Sequence, residues 1–513
     1  MQEGVAVAVQ VDGWAVTAFV GYLVVLIGIG AWSARFSSQG IGNFFVGGRA
    51  MNRWVVALSA VVSGRSAWLL LGVTGMAWTM GASALWAVVG YTVMEFILFL
   101  TVARRLRRFA GERDCVTLTD IFAERLADHD GRLRAALSLV ILIFMAAYVS
   151  SQFVGGGKAI GASFGLEPEM GILLTALIVL LYTTVGGFLA VSLTDTLQAV
   201  FMIFALLAIP ILALGPVGGW GMVTAELGAW DPSFLDPLAL GAGALLGLVG
   251  IGLGSPGNPH ILVRYISIDD ERELRFAAFA GTTANVLMGA GAIFIGLVGR
   301  ATFPELSLLP GEDTENLYPL LANQTLPAPL FGIVVASIFA AIMSTADSQL
   351  LVGASAVVRD LYEKVLRKGE ETPQRELVFL SRAVVVLLVI AALILGWAAE
   401  ELVFWLVLFA WAGLGAAFGP PLLLALYWKG TTRAGALAGV LTGAGVTIVW
   451  YLTPVLKDWL YELIPAFILA GAVTIVVSRF TRAPDDVEEV FRVLEGRSAS
   501  GDTSVPPAPP HLR

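Results

Sequence analysis

The sequence predicts an all-α polytopic membrane protein, on three observations. Of 513 residues, 57% are hydrophobic and 14% are charged, against roughly 25% charged in soluble domains. Mean hydropathy is +0.82. About thirteen apolar segments of spanning length follow one another along the chain. The formal net charge of −8 says little about partners, because distribution outweighs sum in such a chain. A lipid bilayer and a small solute are the expected partners, with no nucleic acid. The single cysteine, Cys115, excludes an internal disulfide and a Cys-rich metal site. His129, His260 and His511 are too scattered for a histidine-based metal site. No nucleophile–base or metal constellation is visible, so no enzyme is expected.

The apolar segments lie near 13–34, 54–80, 84–103, 135–152, 170–190, 194–214, 239–262, 276–299, 330–355, 377–398, 402–428, 434–452 and 462–480. The first is expected to be retained, since residues 1–12 lack a basic stretch and contain Glu3 and Asp12. Trp14, Trp32, Trp428 and Trp450 fall near segment ends, as an interfacial belt requires. With the N-terminus outside and the C-terminus cytoplasmic, all but four of the 31 Lys and Arg lie on the cytoplasmic side. The exceptions are Lys158, Arg300 and Lys457 outside and Arg65 within the membrane; the opposite orientation inverts the pattern. This counts Arg264 with the cytoplasmic arginines. The longer external connections are 215–238 and 300–329, the second acidic and proline-containing: a cap or gate, or a plain solvated loop. From Ala483 the tail starts with an acidic, helix-like DDVEEVFRVLEG and ends in SASGDTSVPPAPPHLR, which cannot bury a core.

Four spans carry polar interruptions. In SAVVSGRSAWLLLGVTG (59–75), Ser63-Gly64-Arg65-Ser66 puts a helix-weakening glycine and an arginine at bilayer depth. Such a break is how many secondary transporters build a substrate and ion site. The plain alternative is a glycine-kinked helix whose arginine pairs with a neighbouring acid. At 183–198, Gly186-Gly187 reads as a helix end and Thr194-Asp195 as the next start. Asp195 is there either an N-terminal capping acid or an ion ligand. At 250–260, GIGLGSPGNPH cannot form a regular helix. At 340–351, Ser344, Thr345, Asp347, Ser348 and Gln349 concentrate oxygen ligands of the kind hard cations take. Hydroxyls bonding back to the helix explain the serines and Thr345, but not an intramembrane Asp347. The breaks fall in spans two and seven, each opening a set of five. An odd count inverts the second set, so two repeats of opposite topology are expected, with ligands at mid-membrane between the breaks.

Several stretches in order, VGGRAMNRWVVALSA, SGRSAWLLLG, GGFLAVSLTDTLQAVFMIFAL, GLGSPGNPHILVRY, AAIMSTADSQLLVGASAVVRDLY and WAGLGAAFGP, resemble the sodium/solute symporter family, and within it the bacterial sodium/proline permeases. The resemblance covers residues 13 to 480. It implies a LeuT-type fold with an inverted five-plus-five core. The expected units are 1–53 (extra helix and cytoplasmic loop), 54–214 (first repeat), 239–428 (second repeat), 429–482 (two extra helices) and 483–513 (cytoplasmic tail). It also implies Na⁺-driven uptake by alternating access in a bacterial cytoplasmic membrane, with proline or a related amino-acid or organic-acid solute as cargo.

Carried over residue by residue, the central sodium site resembles the carbonyls of Val62 and Arg65 with the hydroxyls of Ser344 and Thr345. A second ion site matches Asp195, Ser344, Asp347 and Ser348. Arg49 and Ser66 match coupling positions. Substrate positions fall on Gly64, Arg65, Ser66 and Trp68 of the first break and on Ile251, Ser255 and Pro259 of the second. The chain departs from the permeases at Gly64, where they carry an aspartate. It departs again at Ile251 and Ser255, where they carry a tryptophan and a tyrosine. Two expectations follow for Arg65. It pairs with a substrate carboxylate, or it reaches Asp195 or Asp347 as a fixed cation that replaces one Na⁺. The second gives a Na⁺-independent exchanger or facilitator. Asp347 then fits either a partner for Arg65 or a stronger Na⁺ site. A transporter-like solute sensor is the remaining class, and the tail after Arg482 has no room for a signalling domain.

Overall fold

The structure, a computed structural model, describes residues 12–37, 40–368, 370, 372–398 and 402–497. The expected disordered SASGDTSVPPAPPHLR and residues 1–11 of the N-terminal reading lie outside the described residues. Among the described residues the regular structure is helical, with one isolated bridge between Met51 and Ile268. In chain order the helices are α1 (Gly13–Ser37), α2 (Ile41–Val46), α3 (Arg53–Val62), α4 (Thr74–Met80), α5 (Leu85–Leu100), α6 (Val102–Glu112) and α7 (Leu118–Arg125). Then come α8 (Arg132–Phe164), α9 (Pro168–Val217), α10 (Trp220–Trp230), α11 (Ala242–Gly250), α12 (Pro259–Ser267), α13 (Leu274–Thr302) and α14 (Leu317–Thr325). The last are α15 (Ala328–Ser355), α16 (Gln374–Trp397), α17 (Val403–Tyr427), α18 (Arg433–Tyr451), α19 (Pro454–Trp459), α20 (Leu463–Arg479) and α21 (Val487–Glu495).

Nine helical stretches among the described residues are long and apolar enough to cross a membrane, and Arg53–Val62, Pro168–Thr184, Ala242–Gly257 and Leu463–Arg479 are shorter apolar ones. Between them they cover each apolar segment read from the sequence. α15 and α17 are the central posts: 78% and 83% of their apolar windows are buried inside the protein, against 28% for α1. α15 packs on α9, α8 and α1, while α17 packs on α8, α18, α20 and the 251–257 segment. Stability of the centre therefore comes from helix-on-helix packing of apolar and small residues, as expected where lipid supplies no hydrophobic drive between helices.

The breaks fall where the sequence puts them. α3 stops at Val62, and the chain resumes helix from Trp68 after a turn in which Ser66 has φ 52°. Residues Ile251–Gly257 form a tight 3₁₀-type segment between α11 and α12. Gly257 lies against the backbone of Leu414 and Gly415 on α17, so a side chain there has no room.

The α9 region differs from expectation. The interruption is at Gly187 alone, with φ 63° and ψ −172°. The helix continues from there, so Asp195 stands two turns inside it and is not a capping acid. The connection 215–238 carries its own helix, α10. The expected tail helix is present as α21, whose Val490, Phe491 and Leu494 are buried.

Candidate functional site

At the first break the freed backbone groups find side-chain partners. The Ala67 N–H donates to Gln152 Oε1 on α8 at 3.0 Å, and the Trp68 N–H donates to Ser66 Oγ at 3.1 Å. Broken helices persist at membrane depth only with such substitutes. Ser66 thus helps start the second half of the helix, and its left-handed backbone is local strain held at the break. On the α15 side, Ser344 Oγ donates to the Val62 carbonyl at 3.3 Å. The Arg65 carbonyl accepts from the Leu69 N–H at 3.0 Å. Thr345 is fully buried, and its hydroxyl makes no hydrogen bond. The structure thus brings the Ser344 hydroxyl to the Val62 carbonyl at the break, while the Thr345 hydroxyl is buried without a partner.

Beside this point lies a small cavity, with about 10 Å³ of free space, lined by Gly64, Arg65, Trp68, Tyr91, Tyr148, Ile251, Val407, Leu408 and Trp411. Trp68 stacks on Phe404 with ring centroids 5.7 Å apart and meets Tyr91 edge-on. Trp411 Nε1 donates to the Ile251 carbonyl at 2.8 Å, fixing one wall to the second break. Of the expected substrate residues, Gly64, Arg65, Trp68 and Ile251 line this cavity. Pro259 does not: it lines a separate cavity, of about 20 Å³ of free space, with Phe45, Thr117, Phe188, Arg264 and Ser348. Ser255 is buried and lines neither.

Arg65 is paired, but with neither expected acid. Its guanidinium bonds Glu95 on α5 and lies 3.8 Å from the Tyr91 ring centroid, while its Nε donates to the Val61 carbonyl at 3.1 Å. Both members of the pair are buried, and Asn285 Nδ2 donates to the second Glu95 oxygen at 2.8 Å. A Cβ on Gly64 would stand 3.6 Å from Glu95 Oε1. Glu95 thus places a carboxylate beside position 64 from a neighbouring helix.

The cation beside Asp195 is Arg264, which is 1% exposed within α12 and not part of a cytoplasmic loop. Its Nη2 lies 3.2 Å from Asp195 Oδ2, and its Nε donates to Ser59 Oγ at 3.1 Å. It also bonds Ser348 and the His260 carbonyl. These contacts overturn the expectation that Arg65 reaches Asp195 or Asp347. Arg65 is held on the α5 side of the break, and Arg264 fills the space on the other. Ser59 and Ser63 donate to Asp195 Oδ2 at 2.6 and 3.3 Å. Asp347 accepts from Ser348 Oγ at 3.2 Å.

Arg49 stands apart from both clusters. It bonds Asp114 at 3.0 Å and the carbonyls of Ala110 and Cys115 at 3.0 Å, tying the α2–α3 link to the end of α6. Among the described residues no group of three His, Cys, Asp or Glu could hold a metal ion as a cluster.

Glu95, Arg264, Tyr91, Tyr148 and Trp411 were missed in the sequence. A signal existed for Glu95, a lone acid inside the 84–103 apolar run, since intramembrane acids are expensive unless paired. Arg264 was hidden by its place two residues past the end of an apolar run. The aromatic residues carry no local signal, because such side chains occur throughout apolar spans.

Comparison with known proteins gives a consistent picture. The model of the sodium:solute symporter family matches residues 44–443. Sodium/proline symporters of Staphylococcus aureus strains JH9, COL and NCTC 8325 / PS 47 are 38% identical over 497 residues, covering 94% of this chain and 96% of theirs. Among solved structures, a Na⁺-coupled sialic acid symporter in a substrate-bound outward-open state superposes with a TM-score of 0.76 at 17% identity, over 92% of this chain and 99% of that one. A nucleobase-cation-symport-1 family transporter in a closed conformation gives 0.51 at 13% identity, over 88% and 98%. At these identities the structures establish the fold alone, that of LeuT-type transporters.

Proposed function

The chain belongs to the sodium:solute symporter family, and on that premise we propose that it imports proline, or a closely related small amino-acid or organic-acid solute, with Na⁺ by alternating access. Its class is that of a sodium-coupled solute symporter and not an enzyme. The observation that carries the finer reading is the meeting of the Val62 carbonyl and the Ser344 hydroxyl at 3.3 Å, beside the aromatic-lined cavity. Hard monovalent ions take such neutral oxygens as ligands, here Val62, Arg65, Ser344 and Thr345. The second ion site is proposed at Asp195, Ser344, Asp347 and Ser348. Solute lies against Gly64, Arg65, Trp68 and Ile251, its ring on the aromatic walls, with Ser66 setting the break beneath it. Because Glu95 already balances Arg65, a net-neutral zwitterion such as proline suits this cavity better than an organic anion.

The units 54–214 and 239–428 are proposed as the inverted repeats that move against each other, in a bacterial cytoplasmic membrane with the N-terminus outside. Labelled proline in proteoliposomes tests the reading. Accumulation is expected only with an inward Na⁺ gradient. The Ser344→Ala/Thr345→Ala variant is expected to raise the Na⁺ concentration for half-maximal uptake at least tenfold, about 1.4 kcal/mol. Accumulation without a gradient would remove the coupling. Na⁺-driven uptake of another solute, with proline ignored, would remove the substrate.

A further inference from the structure

The cavity beside the first break is lined by Arg65, Trp68 and Tyr91, and by Val407, Leu408 and Trp411 of α17. The polar groups among the first three are alike in kind. An indole N–H and a guanidinium only donate hydrogen bonds, and a phenol hydroxyl can donate. Trp68 Nε1 and the Tyr91 hydroxyl are buried and make no hydrogen bond. A donor set of this kind suits a carboxylate.

Glu95 does not line the cavity. It stands one helical turn after Tyr91 on α5 and bonds the Arg65 guanidinium. Asn285 on α13 donates to its second oxygen at 2.8 Å. Both charges are buried, and among the described residues Glu95 has no other ion pair. The buried Arg264 is held by Asp195 at 3.2 Å. Arg65 and Glu95 therefore close to zero charge, while the donors remain in the lining. Two roles are thus separated. The donors fix where a carboxylate sits, and the charge balance fixes the net charge a solute can bring, because an uncompensated buried charge is strongly unfavourable.

Resting on the solute reading above, we propose that Glu95 sets the charge specificity of the site. It neutralises Arg65, so that the donors take a carboxylate in preference on a solute that also carries a cationic amine. Tyr91 and Trp68 share that carboxylate with Arg65. Glu95 acts through Arg65 and is a positioning residue. The free space is about 10 Å³, so solute meets this wall as Val407, Leu408 and Trp411 draw back.

Proline and cyclopentanecarboxylate test this, since they share a five-membered ring and a carboxylate and differ in the ammonium group. Equilibrium binding of each to the purified full-length protein, at one fixed NaCl concentration, gives the ratio of the anion's Kd to that of proline. Glu95→Gln leaves Arg65 unbalanced and is expected to lower this ratio at least about tenfold. Arg65→Gln leaves Glu95 unbalanced and is expected to raise it by a similar factor. Glu95→Asp keeps the charge and is expected to keep the wild-type ratio. General damage to the site weakens both solutes together, so opposite movements of the ratio do not follow from a structural role. If its unfolding transition shows that Glu95→Gln does not fold, Arg65→Gln decides alone. A ratio unchanged in the folded variants, or moving the same way in both, would overturn the assignment and leave sodium-coupled proline uptake standing. Wild-type protein that binds neither solute would overturn both.

Discussion

At the scale of single residues, the Arg65–Glu95 pair explains how the first break tolerates an arginine. Both charges are removed from water and lipid, and Asn285 and Tyr91 complete their shell. A buried ion pair of this kind is weak as a source of stability, but removing one partner strands the other. Glu95→Met or Arg65→Met is therefore expected to cost about 3–5 kcal/mol in unfolding free energy. Arg65→Met/Glu95→Met is expected to recover most of that. Unfolding in detergent with a chemical denaturant checks this, and a double variant as unstable as the sum of the singles would show that the two do not act as a pair. Glu95 was readable as an intramembrane acid in the sequence, but its partner was not. Arg65 has three acids within a few helices, and only the packing of α5 against the break selects one.

At the scale of elements, the loop between α13 and α15 is latched to the ends of α17 and α8. Glu315 is 1% exposed, and its carboxylate accepts from the Val403 and Phe404 N–H groups at 3.0 and 2.8 Å. It thereby caps the start of α17, where a negative charge suits the helix dipole. Lys158 on α8 bridges Glu315 and Asp313 at 2.6 and 2.7 Å. Burial pushes the Glu315 carboxyl above its ordinary range, with Lys158 opposing. In an open loop Glu315 returns to the ordinary value, so proton binding is tighter in the latched form and acid favours the latch. In Val407→Cys protein, labelling from outside is therefore expected to slow as external pH falls from neutrality towards the raised value, and Glu315→Gln is expected to abolish that dependence. Unchanged pH dependence in Glu315→Gln would remove the latch from the explanation. The native Cys115 is buried and gives little background. The acidic character of this loop was legible in the sequence. Its capping role was not, because residues 315 and 403 meet only in the folded chain.

At the scale of the whole molecule, the arginines on the face that carries the positive charge bias also form structure. Arg134 pairs with Asp120 and Asp360 at 2.6 Å, and Arg359 joins Asp120 at 3.4 Å. Burial alone would raise the Asp120 carboxyl, and these two guanidiniums more than offset it, holding it below its ordinary value. Arg108 pairs with Glu271, and α21 closes the same face through Lys429–Glu488 and Arg113–Glu489. With the N-terminus outside, a cysteine at Asp485 is expected to react with an impermeant reagent only in inside-out vesicles, and one at Ser233 only in right-side-out vesicles. The reverse pattern would invert the orientation. The sequence by itself determined the helical membrane class, the places of the two broken segments and the oxygen-rich stretch of α15. These are local properties: hydropathy over about 20 residues, glycine and proline within a span, and hydroxyls at neighbouring positions. Only the tertiary structure decided which acid meets which arginine, that the Gly187 kink leaves Asp195 inside a helix, and that Pro259 faces a different cavity from Ile251. Charge pairing and cavity walls depend on contacts between residues 30 to 160 positions apart, and a linear pattern of hydropathy holds no record of them.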